Sequence, residues 1–164
     1  MNRIEIDYKS KWATLFRGTA EEIEQLIPPI VRSEPSRDEP LVRIIRGRHC
    51  QDYAQLMAEL AAVFQFPYYF GHNWDAFNEC IQDLWWMKAN SYLLVITDFD
   101  QLLPKDREGR RIFIEILKGA SDNWSKVNGW PLSTFQTDHP IEFRCLLQQT
   151  TGNEIEPAIK KFLR

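Results

Sequence analysis

Hydrophobic and polar residues alternate in two short runs near the start of the chain. Ile4, Ile6 and Tyr8 are interleaved with Glu5 and Asp7, and Trp12, Thr14 and Phe16 resume the pattern after Lys9–Ser10–Lys11. Period two over so short a length predicts a β-hairpin, which either extends a sheet or stands apart. Thr19 followed three residues later by Glu22 has the form of a capping box, and Ile23, Leu26, Ile27 and Ile30 recur at helical spacing. Pro28–Pro29 weakens or ends that helix. SEPSRDEP (33–40) is charged, holds two prolines and lacks large apolar residues, so it reads as a linker.

From residue 41 the pattern becomes strand–helix alternation. LVRII (41–45) is a short β-rich run; Tyr53, Leu56, Met57, Leu60, Ala61 and Phe64 then mark one apolar helix stripe that Pro67 closes. A second helix is predicted from Asn73, a good N-cap, with Trp74, Phe77, Ile81 and Leu84 inward. Gly71 is expected at positive φ in the tight turn before it. YLLVI (92–96) is continuous apolar sequence, as in a strand buried on both faces. Ile112, Phe113, Ile116 and Leu117 mark a third helix, EFRCLLQ (142–148) a last strand, and Pro157 the first turn of a C-terminal helix. Strands separated by helices imply parallel pairing. The fold class is therefore α/β: a small three-stranded parallel sheet with helices packed on it, and an N-terminal hairpin and helix as an extension. Residues 1–40 form that extension and 41–164 the main domain, interrupted by a weakly periodic insertion at 125–141.

Composition narrows the functional classes. A formal net charge of −3 and a sequence pI of about 5.7 lack the basic surplus of a nucleic-acid binder. No run approaches the roughly 18 apolar residues of a membrane span, and MNRIEIDYKSKW has no apolar signal core. Cys50, Cys80 and Cys145 form no CxxC pair, which suits reduced thiols and a cytoplasmic setting. No P-loop, GxGxxG, GxSxG or HExxH string occurs. His49 and His139 fall in loop-like contexts without a partner. His72, Asp75 and Glu79 have a loose spacing for a metal, and Cys80 beside an apolar face suits a small buried hydrophobe better than a nucleophile. The expectation is a protein without enzymatic activity, metal or cofactor.

Chemistry concentrates in PYYFGHNWDAFNECIQDLWW (67–86). Asp75, Glu79 and Asp83 lie at i, i+4 and i+8, drifting only about 80° around the helix, so they form one acidic stripe. Lys and Arg are absent from 67 to 87. Like charges at this spacing cost a few tenths of a kcal/mol each, which a plain solvated face would normally relieve with a lysine. Tyr68, Tyr69 and Phe70 before the helix, and Trp85 and Trp86 after it, supply the aromatic content of an interface. The bland alternative is a solvated helix beside ordinary core aromatics.

Pro67, Tyr69, Phe70, Gly71, Asn73, Asp75, Ala76, Phe77, Glu79, Cys80 and Ile81 together resemble the barstar family, inhibitors of the ribonuclease barnase. The order of elements from about 41 to 149 resembles that family too. The resemblance implies a protein inhibitor of antitoxin or immunity type, whose acidic helix plugs the active site of a basic ribonuclease or related toxin in place of RNA phosphate. The partner-facing residues implied are Tyr69, Gly71, His72, Asn73, Asp75, Asn78, Glu79, Gln82 and Asp83, with Asn78 and Gln82 facing outward. Asn78 stands where the family has Trp, Glu79 where it has Asp, and His72 where it has Glu. A further family acid falls near Gly119, with Asp122 the nearest replacement. The alternative is a non-inhibitory interaction module with the same fold and an unrelated partner.

Overall fold

The computed structural model describes residues 5–27, 40–126, 140–150, 152 and 154–164. Ile4, Pro28–Pro29 with Ile30, the linker at 33–39, and 127–139 with His139 lie outside the described residues. The described strands are β1 (Glu5–Lys9), β2 (Ala13–Arg17), β3 (Leu41–Arg46), β4 (Ser91–Thr97) and β5 (Glu142–Gln149). The helices are α1 (Ala20–Leu26), α2 (Tyr53–Phe64), α3 (Trp74–Asp83), α4 (Arg107–Trp124) and α5 (Pro157–Leu163). The capping box forms as expected: Thr19 Oγ1 accepts from the Glu22 amide, and Glu22 Oε2 accepts from the Thr19 amide at 2.8 Å.

The strands form one sheet in the order β1-β2-β5-β4-β3. Four of them, β2, β5, β4 and β3, are mutually parallel, and β1 runs antiparallel to β2. The parallel sheet therefore has four strands rather than the expected three. The reason lies in β2, which aligns Ala13–Arg17 with Cys145–Gln149. It places Ala13 and Leu15, both fully buried, in the main core. Trp12 joins them, its indole N–H donating to the Phe162 carbonyl at 2.8 Å. The hairpin extends the sheet.

Handedness then decides which face each helix covers. From β3 to β4 to β5 the chain steps through adjacent strands in one direction, whereas from β2 to β3 it jumps back over β5 and β4. If every crossover is right-handed, the β2–β3 connection must pass on the opposite face from the other two. Packing follows that rule. Ile45, Tyr92, Leu94, Ile96, Phe143, Cys145 and Leu147 share the large core with the inward residues of α2, α3, α4 and α5. Ile23 of α1 and its capping neighbour Ile27 pack instead with Val95, against Phe16, Val42, Ile44, Leu93 and Leu146. Strand alternation separates the two sets.

At the carboxyl ends of the parallel strands a polar chain ties the edges together. Arg48 pairs with Asp98 at 2.6 Å; the Asp98 amide donates to Gln148 Oε1 at 2.6 Å; and Gln148 Nε2 donates to the Gly18 carbonyl at 2.7 Å. Gly47 is required here because a Cβ would overlap the Asp98 carbonyl.

Candidate partner-binding site

α3 is fixed at both ends by local chemistry. Asn73 Oδ1 accepts from the Ala76 amide at 2.8 Å, and its Nδ2 donates back to the Gly71 carbonyl at 3.3 Å. A Cβ on Gly71 would lie 3.0 Å from that amide nitrogen, so a side chain there would push the Asn73 cap aside by a few tenths of an ångström. The positive φ expected at Gly71 belongs instead to His72, at 52°. Histidine tolerates the left-handed region better than most residues, and this one is tied down. Its Nδ1 lies 3.0 Å from the Phe70 carbonyl, and its own carbonyl accepts from the Tyr53 hydroxyl at 3.1 Å. Leu84 closes the helix in the left-handed conformation.

The inner face of α3 locks onto α4. Phe77, Cys80 and Ile81 are buried, the Phe77 ring stacks on Phe113 at 5.8 Å, and the Trp124 indole donates to the Ile81 carbonyl at 3.0 Å. Burial, then the nearby charges of Glu79 and Asp83, push the Cys80 thiol up to about 11, which keeps it protonated and unreactive at neutral pH.

The residues expected to face a partner divide into two groups. Tyr69, Gly71, His72, Asn73, Asp75, Asn78 and Glu79 are exposed on the loop and outer helix surface. Asp75 and Glu79 take part in no ion pair among the described residues. Gln82, expected to face outward, is only 6% exposed. Its Nε2 donates to Asn78 Oδ1 at 2.6 Å and to the Asn78 carbonyl at 3.1 Å, while its Oε1 accepts from Asn123 Nδ2 of α4. Gln82 is a strap between helices, and Asn78 is the exposed end of that strap. Asp83 is half-buried, with Oδ1 enclosed and without a hydrogen-bond partner, and desolvation holds its carboxyl above the usual range. The acidic stripe thus sinks into the protein at its last position. Asp122, the nearest substitute for the further family acid, is exposed but paired with Lys118 at 2.8 Å.

Aromatic rings border the exposed acids. The large apolar residues most exposed among the described residues are Tyr68 (100%), Tyr69 (56%), Trp85 (46%) and Tyr53 (36%), and all four flank α3. The Trp85 indole donates to the Tyr69 hydroxyl at 3.3 Å, joining the loop before the helix to the chain after it. From there a ring series runs inward: Trp85 on Trp86, Trp86 on Phe66, and Phe66 on Phe70 and Phe77. Tyr53 packs edge-on against Trp74 at 5.4 Å. Tyr68 and Trp85 are among the interface aromatics expected from sequence but not among the partner-facing residues that the resemblance implies, and Tyr53 is in neither group. For Tyr68 a signal exists, since Phe70 is the loop aromatic that turns inward and the Tyr pair before it is left outside.

Among the described residues no group of three or more His, Cys, Asp or Glu side chains lies close enough together to hold a metal ion. No described helix is long and apolar enough to cross a membrane. All three cysteines are free and buried.

These features define an α/β protein that presents an acidic, aromatic-framed helix on one side of a parallel sheet. Residues 41–148 match the family model Barstar (barnase inhibitor), and the chain belongs to that family, whose members are inhibitors rather than enzymes. No curated protein matches the chain. β1, β2 and α1 precede the matched region, although β2 completes its sheet.

Proposed function

We propose that this chain is an intracellular inhibitor of antitoxin or immunity type that binds a basic ribonuclease or related toxin and occupies its active site with α3. The observation that carries the reading is the pair of exposed carboxylates Asp75 and Glu79, which make no ion pair among the described residues and stand on a helix that is capped at its start and packed along its inner face. A ribonuclease active site must hold an anionic backbone and is therefore rich in positive charge. Two carboxylates one helical turn apart present negative charge at a spacing of about 5–6 Å, fixed before binding. Rigid presentation lowers the ordering cost of association, and the unrelieved charge speeds encounter. His72, Asn73 and Tyr69 lie on the same exposed surface and supply polar contacts from the loop. Membership in a family of barnase inhibitors supports the same assignment.

The test is inhibition of RNA cleavage by barnase and by any ribonuclease encoded beside this gene, with the full chain as titrant. Stoichiometric loss of cleavage, with rescue of cells on co-expression, is the expected result. Undiminished cleavage by both enzymes at a large excess of this chain would overturn the reading.

A further inference from the structure

The acids of α3 select for positive charge, but as exposed carboxylates they separate arginine from lysine only weakly, through bidentate pairing. The aromatic surface beside them separates the two further. Tyr68 is fully exposed, and Tyr69 and Trp85 expose about half of theirs. None of these rings is needed to fill the core, which is closed beneath them by Phe66, Phe70 and Phe77. Two of the three are nonetheless held in place. The Trp85–Tyr69 hydrogen bond and the perpendicular Trp85–Trp86 contact at 5.9 Å fix the indole, and Tyr69 in turn meets Tyr68 edge-to-face at 5.6 Å. The indole N–H, bonded to Tyr69, is already satisfied within the chain. What the indole offers a partner is therefore its π-surface, and an exposed, pre-ordered π-surface beside carboxylates is suited to a planar cation.

Building on the function proposed above, we propose that the Tyr68–Tyr69–Trp85 surface receives an arginine of the basic partner, which stacks on the rings while neighbouring cations meet Asp75 and Glu79. Guanidinium is flat, weakly hydrated and able to stack while it donates hydrogen bonds in its plane; ammonium is compact and strongly hydrated. The surface therefore prefers arginine to lysine at equal charge. The two elements lie within reach of one basic segment. α3 spans about 15 Å, and six extended residues span about 20 Å.

The experiment uses the full chain with two blocked peptides of equal charge, hexa-arginine and hexa-lysine, at low salt. Affinities come from calorimetry, and the Trp85 indole signal is followed by NMR. Hexa-arginine is expected to bind about five- to tenfold more tightly and to shift the Trp85 indole resonance. Tyr69→Leu with Trp85→Leu should abolish that ratio while both peptides still bind. Trp85→Phe, which keeps a π-face, should retain part of it. Asp75→Asn with Glu79→Gln should weaken both peptides alike. Equal affinity for the two peptides, or a ratio that survives loss of both rings, overturns the arginine assignment and leaves the acidic-helix reading intact. Failure of both peptides to bind, or binding unaffected by removal of the two acids, overturns both.

Discussion

α3 and α4 pack against each other and both carry carboxylates, but they treat them in opposite ways. On α4, Glu108 and Glu115 are both engaged by Arg111 at 2.6 Å, and Asp122 is engaged by Lys118 at 2.8 Å. Each partner sits three or four residues away, the spacing at which helix side chains meet. The contact with Arg111 holds the Glu108 carboxyl below its ordinary range. On α3, Asp75 and Glu79 have no such partner among the described residues, and Asp83 has been drawn half inside with an unsatisfied oxygen. A helix whose charges serve only solubility and stability looks like α4. The unrelieved charge on α3 is a local cost carried by an otherwise well-capped, well-packed element, and such a cost is characteristic of a surface used for recognition.

The largest effect that separates the two helices is on binding. If the proposed function holds, Asp75→Lys with Glu79→Lys should weaken association with the ribonuclease partner by roughly 3–5 kcal/mol, because attraction is replaced by repulsion across the contact. Thermal stability should change little, since both positions are exposed. The matching reversal on α4, Glu108→Lys with Glu115→Lys, should leave affinity within a few tenths of a kcal/mol while lowering stability through the lost Arg111 pairs. Titration of inhibition, paired with thermal melts of both variants, checks this. Equal losses of affinity from the two helices would erase the distinction between them.

How far this contrast was legible in the chain depends on the interactions involved. The strands and helices of residues 41–148 follow from periodicity, and the cap at Asn73 follows from a short-range side-chain bond; both are local properties that sequence records directly. The absence of Lys and Arg from 67 to 87 is equally legible. Three features were not. The fourth parallel strand arises because β2 pairs with β5, more than a hundred residues away, and period-two alternation says nothing about which strand is the neighbour. The burial of Gln82 depends on Asn123, forty-one residues on, so an amide that looks like solvent-facing polarity on a helix wheel is consumed between helices. The positive φ at His72 rather than Gly71 belongs to the three-dimensional path of the turn, in which Asn73 folds back to bond the Gly71 carbonyl.

Gln82 therefore offers the next sharpest test, one of stability more than of binding. Gln82→Ala removes a buried amide that serves Asn78 and Asn123 together, leaving the Asn123 Nδ2 donor and Asn78 Oδ1 without the bonds they make here. The expected loss is about 1 kcal/mol in urea denaturation, the usual net contribution of a hydrogen bond, because water can reach the part-exposed partners left behind. Asn123→Ala should cost less, and the double variant less than the sum, because both substitutions break the same bond. Strict additivity would mean that the amide bridge does not couple α3 to α4.

The smallest effect has the opposite sign. Asp83 lies at the last position of α3, partly desolvated, with one carboxylate oxygen enclosed and unpaired. Desolvation raises its folded-state pKa above the unfolded value of 3.8. Between those two values the folded chain binds more protons than the unfolded chain, so stability falls as pH rises through the window. Above it the charged carboxyl exerts its full penalty; below 3.8 the penalty is absent. Asp83→Asn removes the charge while keeping the shape, and should stabilise the protein slightly at pH 7, the gain kept small by the solvent that still reaches this carboxyl. The advantage should shrink steadily as the pH is lowered toward 4, which urea titrations of both proteins across that range would reveal. A gain independent of pH would assign the effect to something other than the buried charge. A loss of stability would mean that Asp83 has a favourable partner, and that the acidic stripe of α3 is relieved at its base as the carboxylates of α4 are.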